Sequence, residues 1–166
     1  CCRSSIKYFG WWSPSETLFQ PDMIATAFPW LTSVGISLHA GFWEECLFRA
    51  VPLAGAALIG KKYGRQKLWI FSAMILQALI FGAAHANYPS YPAYSRVIEL
   101  ILPSLFWGCV YLRFGLLPVI LAHFGFDVAL IAIPLFSSTS SELFFDKFMV
   151  IFVSLIPIWV ILIARY

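Results

Sequence analysis

Several stretches of this chain run for most of a bilayer's thickness with scarcely a charge, and nothing else in the sequence narrows its fold as far. In hydrocarbon every backbone N–H and C=O must find a partner within the protein, so only helices and closed barrels can cross. Apolar runs approaching ~20 residues have the length of a helical span, about twice that of a spanning strand. Of the 166 residues 61% are apolar, with 11 Lys and Arg against 8 Asp and Glu, more apolar surface than a water-soluble domain of this size can hide. The expected fold is therefore all-α: a polytopic transmembrane helical bundle, integral to the cell membrane and crossing it several times. Disorder, coiled coil and nucleic-acid binding are excluded. The net charge of +3 is small, and much of it sits in GKKYGRQK, Gly60 to Lys67, which reads as a cytoplasmic connector.

Residues 1–29 break any regular pattern at WWSP and FQPD, and Trp11, Trp12 and Phe19 suit an interfacial segment. Beyond Pro29 the pattern predicts a first helix over Trp30 to Ile59, kinked at Pro52. Spans over Leu68 to Ala86, Arg96 to Leu112, Leu116 to Phe136 and Phe148 to Ala164 follow. The connectors are the Tyr-rich ANYPSYPAYS, the short RFG link and the polar SSTSSELFFDK. A cytoplasmic basic loop places Lys61, Lys62, Arg65, Lys67, Arg113 and Arg165 inside and Arg3, Lys7, Arg96 and Lys147 outside, a bias of the expected sign. The four cysteines have no metal or disulfide spacing: Cys1 and Cys2 are adjacent, and Cys46 and Cys109 lie within apolar segments.

An ionisable side chain at bilayer depth costs roughly 2.5 to 3.5 kcal/mol on insertion scales, so each one marks a candidate site. Most fall into three groups, EECLFR, FGAAH and HFGFD. On an α-helix Arg49 lies about 40° from Glu45 but about 140° from Glu44. Glu45 and Arg49 are thus the natural i, i+4 ion pair, and Glu44 faces another sector. A desolvated carboxylate of that kind suits a general base that takes a proton from water. His85 closes the second predicted span, three residues after Gly82, whose missing side chain lets a neighbouring backbone or a substrate approach. Counted from the basic loop, Glu44 and His85 both stand roughly 25 Å up. His123 and Asp127, again i, i+4, come out shallower, and the carboxylate can accept one ring N–H and fix the direction of the other nitrogen. A cavity where Glu44, His85 and His123 converged would hold a base, a water-positioning group and an oxyanion donor.

These groups, in this order on separate apolar segments, resemble the signature of the CAAX-protease and bacteriocin-processing (CPBP, or Abi) family of intramembrane proteases, which includes the type II CAAX prenyl endopeptidases. The EExxxR motif falls on Glu44, Glu45 and Arg49, FxxxH on Phe81 and His85, and HxxxN or HxxxD on His123 and Asp127. The expected organisation is an interfacial segment over 1–29, a protease core over 30–136, of which the resemblance covers about Leu38 to Phe136, and a loop with a C-terminal transmembrane helix over 137–166. The resemblance carries a function as well. It implies an intramembrane endopeptidase acting on a peptide or lipidated protein within the lipid bilayer. Glu44 with His85 would activate water and the third motif would stabilise the oxyanion. Because an ionised Asp127 cannot donate a hydrogen bond, its expected part is to orient His123. Glu45 and Arg49 would be structural support.

No cofactor is expected, because a carboxylate base and imidazoles account for each group. The alternative is a zinc enzyme with Glu44, His85, His123 and Asp127 as ligands. HExxH, GxGD and GxSx signatures of other intramembrane proteases are absent from the sequence. Haem ligation by two histidines, proton-coupled transport, and a non-catalytic role in bacteriocin immunity or as a scaffold are the competing classes. His39 reads as a core histidine, Cys46 and Cys109 as buried inert thiols, Glu99 as a helix-end carboxylate, and the Tyr-rich turn as an interface anchor.

Overall fold

The structure is a computed structural model that describes residues 13–14, 25–87, 90–91 and 93–164. Most of the expected interfacial segment, with Trp11, Trp12 and Phe19, lies outside the described residues, as do Cys1, Cys2, Arg3, Lys7, Arg165 and parts of the Tyr-rich turn. The fold is all-α. Helix α1 spans Pro29–Glu44, and a π-helical turn over Glu45–Ala50 separates it from α2, Val51–Tyr63. Helices α3, Gln66–Ala84, α4, Ala93–Phe114, and α5, Leu116–Ile131, follow. The chain closes with α6, Ile133–Ser137, α7, Phe144–Ser154, and α8, Ile156–Ala164. A two-residue antiparallel ladder pairs Ser13–Pro14 with Ser90–Tyr91.

The helix breaks differ from the expected ones, and prolines and glycines explain most of them. Pro52 produces a wide turn directly upstream of itself: the Val51 N–H bonds to the Cys46 carbonyl, an i→i−5 contact. An α-helical path there would bring the Pro52 ring against the Phe48 carbonyl. The basic loop is shorter than expected, because α2 runs on to Tyr63 and the reversal needs only Gly64 and Arg65, both at positive φ (81° and 58°). Gly115 (φ 88°) makes the link between α4 and α5. The span expected over Leu116 to Phe136 divides at Ala132, ahead of Pro134, and that over Phe148 to Ala164 divides at Leu155, ahead of Pro157.

Two helices, Gln66–Ala84 and Tyr94–Phe114, are each long and apolar enough to cross a membrane, and the segments Ser141–Ser154 and Ile156–Ala164, bent by 48°, make a third as a broken span. Phe71, Leu102, Phe106 and Phe152 on these helices are exposed. So much exposed aromatic and aliphatic surface is untenable in water and natural against lipid.

The chain divides into two compact units, Cys1–Leu18 with Trp43–Val119, and Phe19–Phe42 with Ile120–Tyr166. In the first, α2, α3 and α4 pack around a polar centre. A Cβ on Gly82 would lie 2.7 Å from the Val97 carbonyl oxygen, so α3 and α4 meet backbone to backbone there. The neighbouring backbone that the sequence allowed at Gly82 is that of Val97. The second unit has an apolar core of Val34, Phe124, Val128, Ala132, Leu135 and Val150. Its helices are tied by a hydrogen bond from the Trp30 N–H to Asp146 Oδ1, 3.1 Å. Gly41 lets α1 approach the α5 backbone, where a Cβ would stand 3.1 Å from the Phe124 nitrogen.

Candidate active site

The EECLFR segment straddles the end of α1 at Glu44 and the π-helical turn from Glu45, and its acids part company as the sequence predicts. Glu45 and Arg49 are wholly buried, with Arg49 Nη1 3.2 Å from Glu45 Oε1. Burying the pair together is far less costly than burying either charge alone. Arg49 Nη2 donates to Ser104 Oγ at 3.1 Å, and its guanidinium carbon sits 4.2 Å from the centre of the Phe81 ring. Ser104 Oγ donates in turn to Gln77 Oε1 at 2.9 Å, and Gln77 Nε2 donates to the Met74 carbonyl at 3.0 Å. A chain of polar groups therefore links the π turn to α4 and α3 in a dry interior.

The sequence reading missed Gln77 and Ser104 because it followed only ionisable groups. A Gln and a Ser in the middle of otherwise apolar spans were the available signal, since an uncharged amide or hydroxyl in hydrocarbon also demands a partner.

Glu44 stands one residue ahead of this network. Its Oε1 lies 3.5 Å from His85 Nε2, with both side chains partly exposed, Glu44 at 23% and His85 at 15%. The equal depth counted from the basic loop is thus matched by contact between the end of α1 and the end of α3. His85 ends α3, and its Nδ1 is 2.8 Å from the Phe81 carbonyl oxygen. A carbonyl can only accept, so Nδ1 carries a proton and Nε2 is the nitrogen turned toward Glu44. The Phe81 ring also lies 4.6 Å from the imidazole and 5.2 Å, edge to face, from Phe48. Phe81 thus holds His85 by both its main chain and its ring, while touching Arg49.

In the second unit His123 is buried and its Nε2 lies 3.5 Å from Asp127 Oδ2, the expected i, i+4 pair. Each unit brings two of the four candidate residues together. Among the described residues no three His, Cys, Asp or Glu side chains form a group that could hold a metal ion.

Two peripheral expectations need correction. His39 is exposed on α1 rather than a core residue, and Cys109 is exposed on α4 rather than buried; Cys46 is half-buried. An apolar sequence around a residue does not mark it as interior when the surrounding solvent is itself apolar. Glu99 sits early in α4 and pairs with Arg96 Nη1 at 3.4 Å, i, i+3, as a helix-end carboxylate does.

Glu44 and His85 thus meet within the first unit, and His123 and Asp127 within the second. The family profile described as type II CAAX prenyl endopeptidase Rce1-like matches residues 26–129, well over half of the chain, and the chain belongs to that family. It is thus an intramembrane peptidase of the CAAX type, in keeping with its apolar helices. No curated protein and no solved structure matches the chain.

Proposed function

We propose that this chain is a multi-pass cell-membrane endopeptidase that cleaves a peptide bond near the C-terminus of a lipidated, CAAX-type protein by means of a Glu/His-activated water. The observation that carries the reading is the Glu44–His85 contact at 3.5 Å with the imidazole proton held on Nδ1 by the Phe81 carbonyl. An ionised Glu44 and a neutral Nε2 are both acceptors. Together they take the two hydrogens of one water and leave its lone pair for the scissile carbonyl carbon.

As the water oxygen forms its bond to that carbon, Glu44 removes one proton. The negative charge moves to the carbonyl oxygen, where His123 donates. Since Asp127 faces Nε2 of His123, donation falls to Nδ1, with the Asp127 carboxylate as counter-charge to the imidazolium. On collapse the C–N bond breaks and Glu44 returns its proton to the leaving amine. The part assigned to His123 and Asp127 draws support from the third motif and from their pairing within their own unit. No metal enters this scheme.

The test is Glu44→Gln in protein reconstituted into vesicles with a prenylated C-a-a-X peptide. Loss of a general base is expected to lower the cleavage rate about 100-fold or more. Stability should stay within about 1 kcal/mol of wild type, because the amide is isosteric and partly exposed. A Gln variant that cleaves at the wild-type rate overturns the mechanism.

A further inference from the structure

Arg96 is a cation that the scheme above does not use, although its place in the fold brings it to the site. It stands immediately before Val97, whose backbone is packed directly on Gly82, three residues ahead of His85. This contact fixes the first turn of α4 beside the end of α3. Arg96 is partly exposed at 28%, unlike the wholly buried Arg49.

A substrate of the C-a-a-X kind ends in a free carboxylate a few residues beyond the cysteine. That carboxylate must be brought among apolar helices along with the scissile bond, and an anion in such surroundings requires a cation. A three-residue extended tail reaches about 10 Å, so the binding group has to stand close to the catalytic pair without being part of it. We propose that Arg96 binds the C-terminal carboxylate of the substrate and thereby selects peptides that end near the cleaved bond.

This inference rests on the C-terminal, CAAX-type substrate of the proposed function and deepens it. The guanidinium has five N–H donors and a planar fork that fits a carboxylate, so it can serve Glu99 and a second carboxylate together. The Glu99 contact, 3.4 Å between side chains about a third exposed, is of the weak surface kind that a ligand can share or displace. Glu99 then limits how strongly Arg96 holds the substrate.

The experiment compares kcat/KM for two prenylated C-a-a-X peptides that differ only in ending as the free acid or as the C-terminal amide. The wild type is expected to prefer the acid about tenfold or more, the size of one charge-assisted hydrogen-bonded pair. Arg96→Gln should bring the acid-to-amide ratio down toward one, and Glu99→Gln should raise it by removing the competing carboxylate. Because Glu99 is partly exposed at 33% and Gln is isosteric with it, its variant supplies the answer even where Arg96→Gln fails to fold. A wild-type ratio near one, or a ratio that stays at the wild-type value in Glu99→Gln and in a folded Arg96→Gln, overturns the proposal. Cleavage without acid preference refutes Arg96 alone. Failure of the wild type to cleave either peptide refutes the proposed function and this inference with it. Glu44→Gln, run in the same assay, tests the base independently of the tail.

Discussion

Arg49→Ala isolates what the buried ion pair does for the fold. The guanidinium has zero exposure and three kinds of partner: Glu45 at 3.2 Å, Ser104 Oγ at 3.1 Å and the face of Phe81 at 4.2 Å. Truncation leaves Glu45 as a buried carboxylate without its counter-ion, which costs about 3 to 5 kcal/mol when one partner of such a pair is removed. The lost cation–π contact, about 2 kcal/mol for a desolvated pair, overlaps with that figure because the same charge is deleted. A chain unfolded within a bilayer still finds polar partners, which pulls the total toward the lower end. The expected loss is therefore about 3 kcal/mol or more. The assay is equilibrium unfolding in mixed micelles on SDS titration, followed by helical circular dichroism. Replacing both members, Glu45→Leu with Arg49→Met, removes both charges and should lie closer to wild type than Arg49→Ala does. An Arg49→Ala protein within about 1 kcal/mol of wild type, or a double variant no better than the single one, would refute the reasoning.

Other substitutions probe the packing and polar contacts that hold the site. Gly82→Ala would place a Cβ 2.7 Å from the Val97 carbonyl, so α3 and α4 must separate; a loss of about 1 to 3 kcal/mol in the same titration, with reduced cleavage, is expected. Gly35→Ala, which meets nothing within 4 Å, should be neutral or stabilising in that titration and serves as the control. Gln77→Leu removes the acceptor of the Ser104 hydroxyl, and thermal unfolding should show a loss of about 1 to 3 kcal/mol. Exhaustive chelation should leave peptide cleavage unchanged; activity lost with stoichiometric zinc and restored by it would favour the zinc alternative.

Much of the site's local geometry was legible in the sequence because hydrocarbon makes polar residues conspicuous. Glu45 with Arg49, His123 with Asp127, and the equal depth of Glu44 and His85 all follow from helical spacing and the expense of a buried charge. The same apolar solvent hid other features. In water the apolar face of a helix marks its interior, but here Phe71 and Leu102 face outward while Gln77 and Ser104 are buried. His39 and Cys109 were misjudged for the same reason. Helix ends were blurred where one or two residues suffice to turn the chain, as at Gly64 with Arg65 and at Gly115, since a loop of that length leaves almost no polar stretch to read.

The π-helical turn was not legible, although it sits on the motif that matters most. Proline 52 announced an interruption, but a kink, a break and a widened turn all satisfy its missing N–H. What distinguishes them here is the company of the turn. In an α-helix adjacent residues point about 100° apart, so two consecutive acids cannot share one partner, and the first needs another use. Widening the turn to i→i+5 bonding lets Glu45 keep Arg49 within its own turn while Glu44, at the threshold of the wide segment, stays at the edge of the dry interior beside His85. A fully buried Glu44 would compete for the same guanidinium. The partial exposure of Glu44, against the complete burial of its neighbour, separates the acid that holds the fold from the one proposed as the base.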